Sequence, residues 1–188
     1  MNVRYRTRGI ILEAKDQREA DRAFSVLTKE FGLVVLWAIS CRKIASKLRG
    51  GLCALSCSDI EFVQGKNRKT VTDARLVSLR PISHNLEGLR AAMRMAKTLT
   101  LLLPAEDPDE RVWELALRSL QGCADVREPK EGRVAYYGFF WNMMDLLGYG
   151  VSRDIRAALS GASGLSLAQE RDIAAATKDR FHTILIRS

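Results

Sequence analysis

Residues 41–52, CRKIASKLRGGL, carry four positive charges and no negative charge. No Asp or Glu occurs anywhere in residues 31–58, so no neighbouring acid in the sequence compensates this charge. Lys and Arg side chains at this density can bind phosphate groups through charge and hydrogen bonds. The stretch therefore predicts contact with a polyanion, and a solvated basic loop is the alternative.

The positive charge of the whole chain is unevenly distributed. The 188 residues carry a net charge of +8. Residues 1–80 contain 16 Lys/Arg and 8 Asp/Glu, whereas residues 81–188 contain 14 of each. A generally basic surface would spread the charge evenly, so we expect the first 80 residues to meet a polyanion such as a nucleic acid.

Groups that could support catalysis or bind a metal are sparse. His84 and His182 do not lie in a metal-ligand pattern, and Cys53 and Cys57 form a lone C-x3-C pair. The acidic residues at 106–110 have the context of a helix start, which favours capping over metal binding. We expect a protein that is not an enzyme and that uses no cofactor and no metal.

The first 80 residues predict β-structure. A barrel of five short strands would leave no open sheet edge, which so small a sheet would otherwise expose. The second and third segments read as a hairpin around residues 30–32, although residues 18–30 alone could also be helical. The predicted strands are 6–13, 22–29, 33–40, 54–63 and 70–79.

Apolar residues after Pro81 recur at helical spacing. Asp107 is the predicted N-cap of the second helix and Pro108 its first residue, while Gly148 fits the end of the third. The third helix is apolar nearly all round, which predicts a central position. The predicted helices are 85–104, 107–122, 133–148, 154–159 and 166–186.

The sequence thus predicts an α+β protein with an N-terminal five-stranded OB-type β-barrel followed by an all-α helical bundle. The predicted domains are residues 1–81 and 82–188. The longest wholly apolar run, 33–39, is too short to span a bilayer, and no export signal is evident. We expect reduced cysteines and a cytoplasmic, nucleoid-associated protein.

A nucleic-acid interface of this kind needs cations along a backbone track and often an aromatic ring on which bases stack. Trp37 is a candidate for stacking, with a buried strand residue as the alternative. Leu48 and Leu52 are expected to anchor the basic stretch to the barrel, and Gly50 and Gly51 to let the chain turn. The predicted nucleic-acid-binding residues are Arg22, Trp37, Arg42, Lys43, Lys47, Arg49, Lys66, Arg68 and Lys69.

Three motifs in order resemble the RecO family of bacterial recombination mediators. They are RGIILEAKDQREADRAFSVLTKEFG (8–32), ISCRKIASKLRGGL (39–52) and DLLGYG (145–150). The matching positions in the first two motifs are Glu19, Asp21, Arg22, Leu27, Thr28, Gly32, Arg42, Lys43, Ser46, Lys47, Leu48, Gly50 and Leu52. The resemblance is clear over about residues 8–150.

This resemblance implies an N-terminal OB fold, a helical second domain and a function without covalent chemistry. RecO proteins bind single- and double-stranded DNA and anneal complementary strands. They bind the C-terminal tail of single-strand-binding protein, and with RecR they help to load RecA. The alternative is an OB-fold RNA-binding or assembly protein, because lysines do not distinguish RNA from DNA backbones.

The chain also departs from the family pattern. Many RecO proteins carry paired C-x-x-C zinc ligands after the third motif, whereas residues 151–188 contain no cysteine, so a short member without the zinc motif is expected. Ile39, Ile44 and Ala45 stand where the family often has a basic residue, Pro and a basic residue. Residues 138–140 stand where its central helix often begins with a basic residue and Phe-Glu.

Overall fold

Five strands close into a barrel in the N-terminal part of the chain. The structure is a computed structural model that describes residues 3–17, 19–78, 85–160 and 165–187. The strand order around the barrel is β1-β2-β3-β5-β4, and β4 pairs back onto β1. This order confirms the predicted OB-type barrel. The strands are β1 (Arg4–Asp16), β2 (Arg22–Thr28), β3 (Gly32–Ala38), β4 (Cys57–Gln64) and β5 (Lys69–Ser78).

Antiparallel pairing dominates the barrel, with one exception. β2 and β3 form the predicted hairpin, with Thr28 opposite Gly32, so the helical alternative is wrong for the described residues of this segment, 19–30. β3 and β5 are parallel and pair only through Leu36 with Lys69 and Trp37 with Thr70. A short parallel pairing therefore closes the barrel between β3 and β5. The chain leaves β3 next to this pairing.

Alternating side chains along the strands build the barrel interior. In β3, Val34, Leu36 and Ala38 are buried, whereas Val35 and Trp37 point outward. An aromatic cluster of Tyr5, Phe31 and Phe62 packs at one part of this core. The buried core residues are Ile11, Phe24, Val26, Val34, Leu36, Ala38, Cys41, Leu52, Ile60, Phe62, Val71 and Ala74.

Two compact units make up the chain. The first contains residues 1–81 and 99–113, and the second contains residues 82–98 and 114–188. Within the first unit, Ala105 bridges to Leu33, and the N–H of Glu106 donates to the carbonyl of Leu33 at 3.0 Å. The expected boundary between residues 81 and 82 lies outside the described residues and stays a prediction.

Helices follow the barrel, as predicted for the second part of an α+β protein. The third helix has buried side chains on most of its faces, and Tyr137, Phe140 and Trp141 are among them. This burial confirms its predicted central character. The Trp141 indole N–H donates to Thr177 Oγ1 at 3.0 Å. The helices are α1 (Leu86–Leu102), α2 (Glu110–Gly122), α3 (Pro129–Leu146), α4 (Arg153–Ser160) and α5 (Leu167–Arg187).

Helix ends were predicted less well than helix cores. α2 begins at Glu110, so the prediction of Asp107 as its cap and Pro108 as its first residue is wrong. The Asp109 carboxylate accepts from the Arg111 N–H at 2.8 Å and satisfies the first turn instead. Gly148, with φ of +80°, follows α3 in the left-handed conformation that favours glycine, as predicted.

Candidate nucleic-acid interface

The charged stretch lies in the long connection from β3 to β4, residues 39–56, which we call the basic connection. Its start is tied to the segment before β2. The Ser40 N–H donates to Asp21 Oδ1 at 2.8 Å, and the Arg42 N–H donates to the Ala20 carbonyl at 3.1 Å. Cys41 between them is buried in the barrel core. The backbone that carries the first cations is therefore held against the barrel.

The middle of the basic connection is anchored by apolar residues, as predicted. Leu52 belongs to the barrel core and the partly buried Leu48 packs against it. A single 3-10 turn, Lys47–Gly50, contains Leu48. Gly51 follows this turn and lies against β5, where a Cβ atom would come within 2.1 Å of the Ala74 carbonyl oxygen. A side chain at this position would push the basic connection away from β5.

Three cations of the basic connection are exposed and form no ion pair with another described residue. Lys43, Lys47 and Arg49 all point to solvent. Among the ion pairs that can be described for residues 3–17, 19–78, 85–160 and 165–187, none involves these three side chains. Ile44, in the same segment, is 92% exposed. These cations are free to bind an anion from outside.

Two further arginines share a single carboxylate. Arg22 Nε lies 2.6 Å from Asp16 Oδ1, and Arg42 Nη1 lies 3.5 Å from Asp16 Oδ2. The hydrogen bond from Arg22, with smaller effects of the Arg22 and Arg42 charges, lowers the pKa of Asp16. One negative charge thus offsets two positive charges at the edge of the basic connection.

The second predicted group of cations lies in and after the β4–β5 turn, residues 65–68, which we call the basic turn. The Gly65 N–H closes it by donating to the Arg68 carbonyl at 2.9 Å. Lys66 is exposed and has no ion pair in the described part of the chain. Lys69 differs from Lys66, because its Nζ lies 2.5 Å from Glu106 Oε1 and its side chain is only 17% exposed.

Trp37 is a strand residue as one alternative predicted, but it is not fully buried, and its stacking role stays a prediction. It belongs to a paired strand, opposite Ala23 and Thr70, yet its side chain is only partly buried. Arg68 of the basic turn lies over its ring, with Cζ 5.6 Å from the ring centroid. The structure thus brings one aromatic ring next to the basic turn.

The arginines on β1 resemble the cations of the basic connection in the sequence, but in the structure they are paired with acids. Arg6 is directly opposite Glu61 and forms an ion pair with it, and Arg8 is opposite Asp59 at 3.0 Å. The hydrogen bond and charge of Asp59 raise the pKa of Arg8 above its usual value. These positive charges are locally neutralised.

An open groove in the second unit has a volume of about 630 Å³. Tyr136 forms part of its wall, and the Arg94 guanidinium stacks on this ring with Cζ 3.9 Å from the centroid. Tyr136 Oη and Thr98 Oγ1 are 3.2 Å apart and share a hydrogen bond. The groove lining combines aromatic and charged side chains, and it includes Arg94, Tyr136, Tyr137, Lys178, Asp179, Phe181 and His182.

Two further features of the described residues concern metals and membranes. No group of three or more His, Cys, Asp or Glu side chains in this part of the chain could hold a metal ion. None of the helices described here has the length and apolar character needed to cross a membrane.

Comparison with known proteins identifies relatives of the barrel and of part of the helical region. A family model described as the N-terminal part of recombination protein O matches residues 1–80. A DNA repair protein RecO from Rubrobacter xylanophilus is 36% identical over 125 residues, which are 66% of this chain and 50% of that protein.

Other relatives with the same name give a similar picture. The protein from Acaryochloris marina is 31% identical over 121 residues, covering 64% of this chain and 41% of the relative. The protein from Nostoc sp. is 30% identical over 138 residues, which cover 73% of this chain and 47% of the relative. The chain spans about half the length of the curated relatives it matches. These matches, together with the barrel order, show that the chain belongs to the RecO family.

Proposed function

We propose that this protein binds single- and double-stranded DNA through its barrel and acts in DNA repair. Its relatives carry the name DNA repair protein. The observation that carries the proposal is the row of exposed, unpaired cations in the basic connection, Lys43, Lys47 and Arg49. Binding by such cations is driven by the release of counterions from the phosphate backbone and needs no catalytic group.

Annealing of complementary strands follows from the same chemistry. Two phosphate backbones repel each other, and a dense cationic surface lowers the free energy needed to bring them together. The anchored backbone of the basic connection keeps its cations together, because Leu48 and Leu52 pack on the barrel. The activity proposed is therefore that of a recombination mediator, which anneals strands and with RecR helps to load RecA on DNA.

The groove in the second unit suits the C-terminal tail of single-strand-binding protein. That tail is acidic and ends in an aromatic residue. Arg94 and Lys178 can pair with its carboxylates, while the half-buried Phe181 supplies a surface for its ring. We expect a labelled tail peptide to bind, and the R94Q/K178Q variant to bind it at least tenfold more weakly. Equal affinity of the variant would contradict this partner site.

The direct test of the proposed activity is strand annealing. Complementary oligonucleotides coated with single-strand-binding protein are mixed with and without the protein, and duplex formation is followed by fluorescence energy transfer. We expect faster annealing with the protein and a loss of this effect in the K43Q/K47Q/R49Q variant. An unchanged rate with the wild-type protein would contradict the function.

The alternative OB-fold RNA-binding or assembly role is tested by competition. RNA and DNA strands of equal length compete for the protein at one fixed salt concentration. Comparable affinities, or a preference for DNA, support the DNA-binding role, whereas a strong preference for RNA would favour the alternative. Association with the nucleoid in cells is expected if DNA is the ligand.

A further inference from the structure

Trp37 lies on the outer surface of the barrel, beside the basic turn and close in sequence to the start of the basic connection. Its neighbours in β3, Leu36 and Ala38, are each 0% exposed, so the alternation of the strand turns the indole outward. The basic connection leaves β3 just after Trp37, and Thr70, opposite Trp37, lies two residues beyond Arg68. Arg68 of the basic turn therefore lies beside the ring, and the basic connection begins two residues after Trp37.

The outer surface around this ring is apolar. Val35 and Ile39, which precede and follow Trp37 by two residues, are 53% and 47% exposed. A surface that combines exposed apolar side chains with surrounding cations has the composition that single-stranded nucleic acids bind, with bases against rings and phosphates against Lys and Arg. The positive charge and the aromatic ring both favour a single-stranded nucleic acid as the ligand.

Arg68 lies over the Trp37 ring without being fixed there. Its guanidinium carbon is 5.6 Å from the ring centroid, and the side chain is exposed on the basic turn. An exposed cation–π pair of this kind is weaker than the stacking of a nucleic-acid base on an aromatic ring. A base can therefore displace the guanidinium with a net gain, and the displaced Arg68 can then pair with a phosphate.

We infer that Trp37 is a stacking site for an unpaired base and that Arg68 gives way to that base on binding; this inference rests on the DNA binding proposed above. The site selects single-stranded DNA over duplex, because a base inside a duplex is covered on both faces by its neighbours. The cations of the basic connection contact the phosphates of both forms. During annealing, the stacked base leaves Trp37 when it pairs, which weakens the hold on the product.

Tryptophan fluorescence tests the stacking site without any substitution. The chain has three tryptophans, and Trp113 and Trp141 are only 3% and 4% exposed. We expect oligo(dT) to quench the emission in a saturable way and a duplex of equal length to quench it much less. The W37F variant should lose the quenching by oligo(dT). Quenching of the same size by the duplex, or in W37F, would overturn the stacking site.

Affinity measurements on the full chain provide the second test. W37A should bind oligo(dT) about tenfold more weakly, the loss of roughly one stacked base, and should bind the duplex within about twofold of wild type. W37F should retain most of the affinity for oligo(dT), because it keeps an aromatic face. Y149A, which removes a 46% exposed aromatic side chain outside the barrel strands, is the matched control and should change neither affinity by more than about twofold.

The outcomes separate this inference from the proposed function. Retained duplex binding by W37A would show that the variant is folded. An equal loss on oligo(dT) and on duplex, or no loss on either, would overturn the single-strand stacking site and leave DNA binding intact. A wild-type protein that binds neither DNA would contradict both.

Discussion

Arginines on β1 and cations of the basic connection carry the same charge in opposite surroundings. Arg6 and Arg8 each lie opposite a carboxylate on β4, at Glu61 and Asp59. Lys43, Lys47 and Arg49 lie on a connection where residues 31–58 supply no acid at all. On the proposed function, pairing rather than the number of positive charges decides which of these surfaces binds a polyanion.

The physical reason lies in what each cation would give up on binding. A paired arginine must leave its carboxylate, and that carboxylate then repels the incoming phosphate. An unpaired lysine gives up only water, and the phosphate it contacts releases a counterion to solvent. Arg22 and Arg42 are intermediate, because both share Asp16.

The largest effect is expected from removing the unpaired cations. The K43Q/K47Q/R49Q variant should bind duplex DNA about 100-fold more weakly at 0.15 M salt, because up to three phosphate contacts are lost. Its thermal stability should match that of the wild type, since these side chains are exposed and unpaired. Fluorescence anisotropy with two unrelated duplex sequences measures the loss, which should be equal for both. A loss confined to one sequence would contradict a backbone contact.

Displacing the basic connection from β5 should lower the stability of the folded protein. In G51A, the new Cβ would meet the Ala74 carbonyl oxygen of β5 at 2.1 Å, so we expect a loss of about 2 kcal/mol or more in the free energy of unfolding. G50A is the matched control, since a Cβ there meets nothing within 4 Å, and it should remain within about 0.5 kcal/mol of wild type. Urea unfolding compares the two. Equal stabilities would mean that the basic connection is not held against β5 as described.

A gain of affinity is expected when the shared carboxylate is neutralised. D16N removes the one negative charge that Arg22 and Arg42 both contact. Both arginines then become free to pair with phosphate, and affinity for DNA should rise about fivefold. D73N provides a control, because Asp73 is an exposed acid of β5 with no ion pair in the described residues. An equal rise in both variants would indicate a general effect of net charge.

The smallest effect is expected on β1. R6Q/R8Q/D59N/E61Q removes both ion pairs of β1, so that two positive and two negative charges are lost together. Affinity for DNA should change by less than about threefold, because these cations release few counterions on binding. A loss comparable to that of the basic-connection variant would erase the distinction between the two regions.

The sequence predicted the barrel and the helices because their signals are local. The apolar run 33–39 forms β3 and the apolar residues at helical spacing form α3, and Leu48 and Leu52 anchor the basic connection as expected. The start of α2 was predicted wrongly because Asp107 and Asp109 are equivalent as caps by residue type. The choice between them depends on backbone geometry that composition does not contain.

Long-range pairing could not be predicted in the same way. The role of Asp16 depends on the approach of Arg42, which is 26 residues away in the sequence. Gly50 and Gly51 are adjacent and chemically identical, yet only Gly51 lies against β5. The pairing of Lys69 with Glu106 likewise joins segments that no local pattern connects. The β1 arginines did leave a signal, because Arg6 and Arg8 alternate with the same period of two as Asp59 and Glu61.

The salt dependence of DNA binding tests most directly whether the unpaired cations make the backbone contact. The logarithm of the binding constant is measured against the logarithm of salt concentration for wild type, K43Q/K47Q/R49Q and the β1 variant R6Q/R8Q/D59N/E61Q on one duplex. The slope should flatten by up to about 3 in the basic-connection variant and remain close to that of the wild type in the β1 variant. An unchanged slope in the basic-connection variant, or an equal flattening in both, would contradict this assignment.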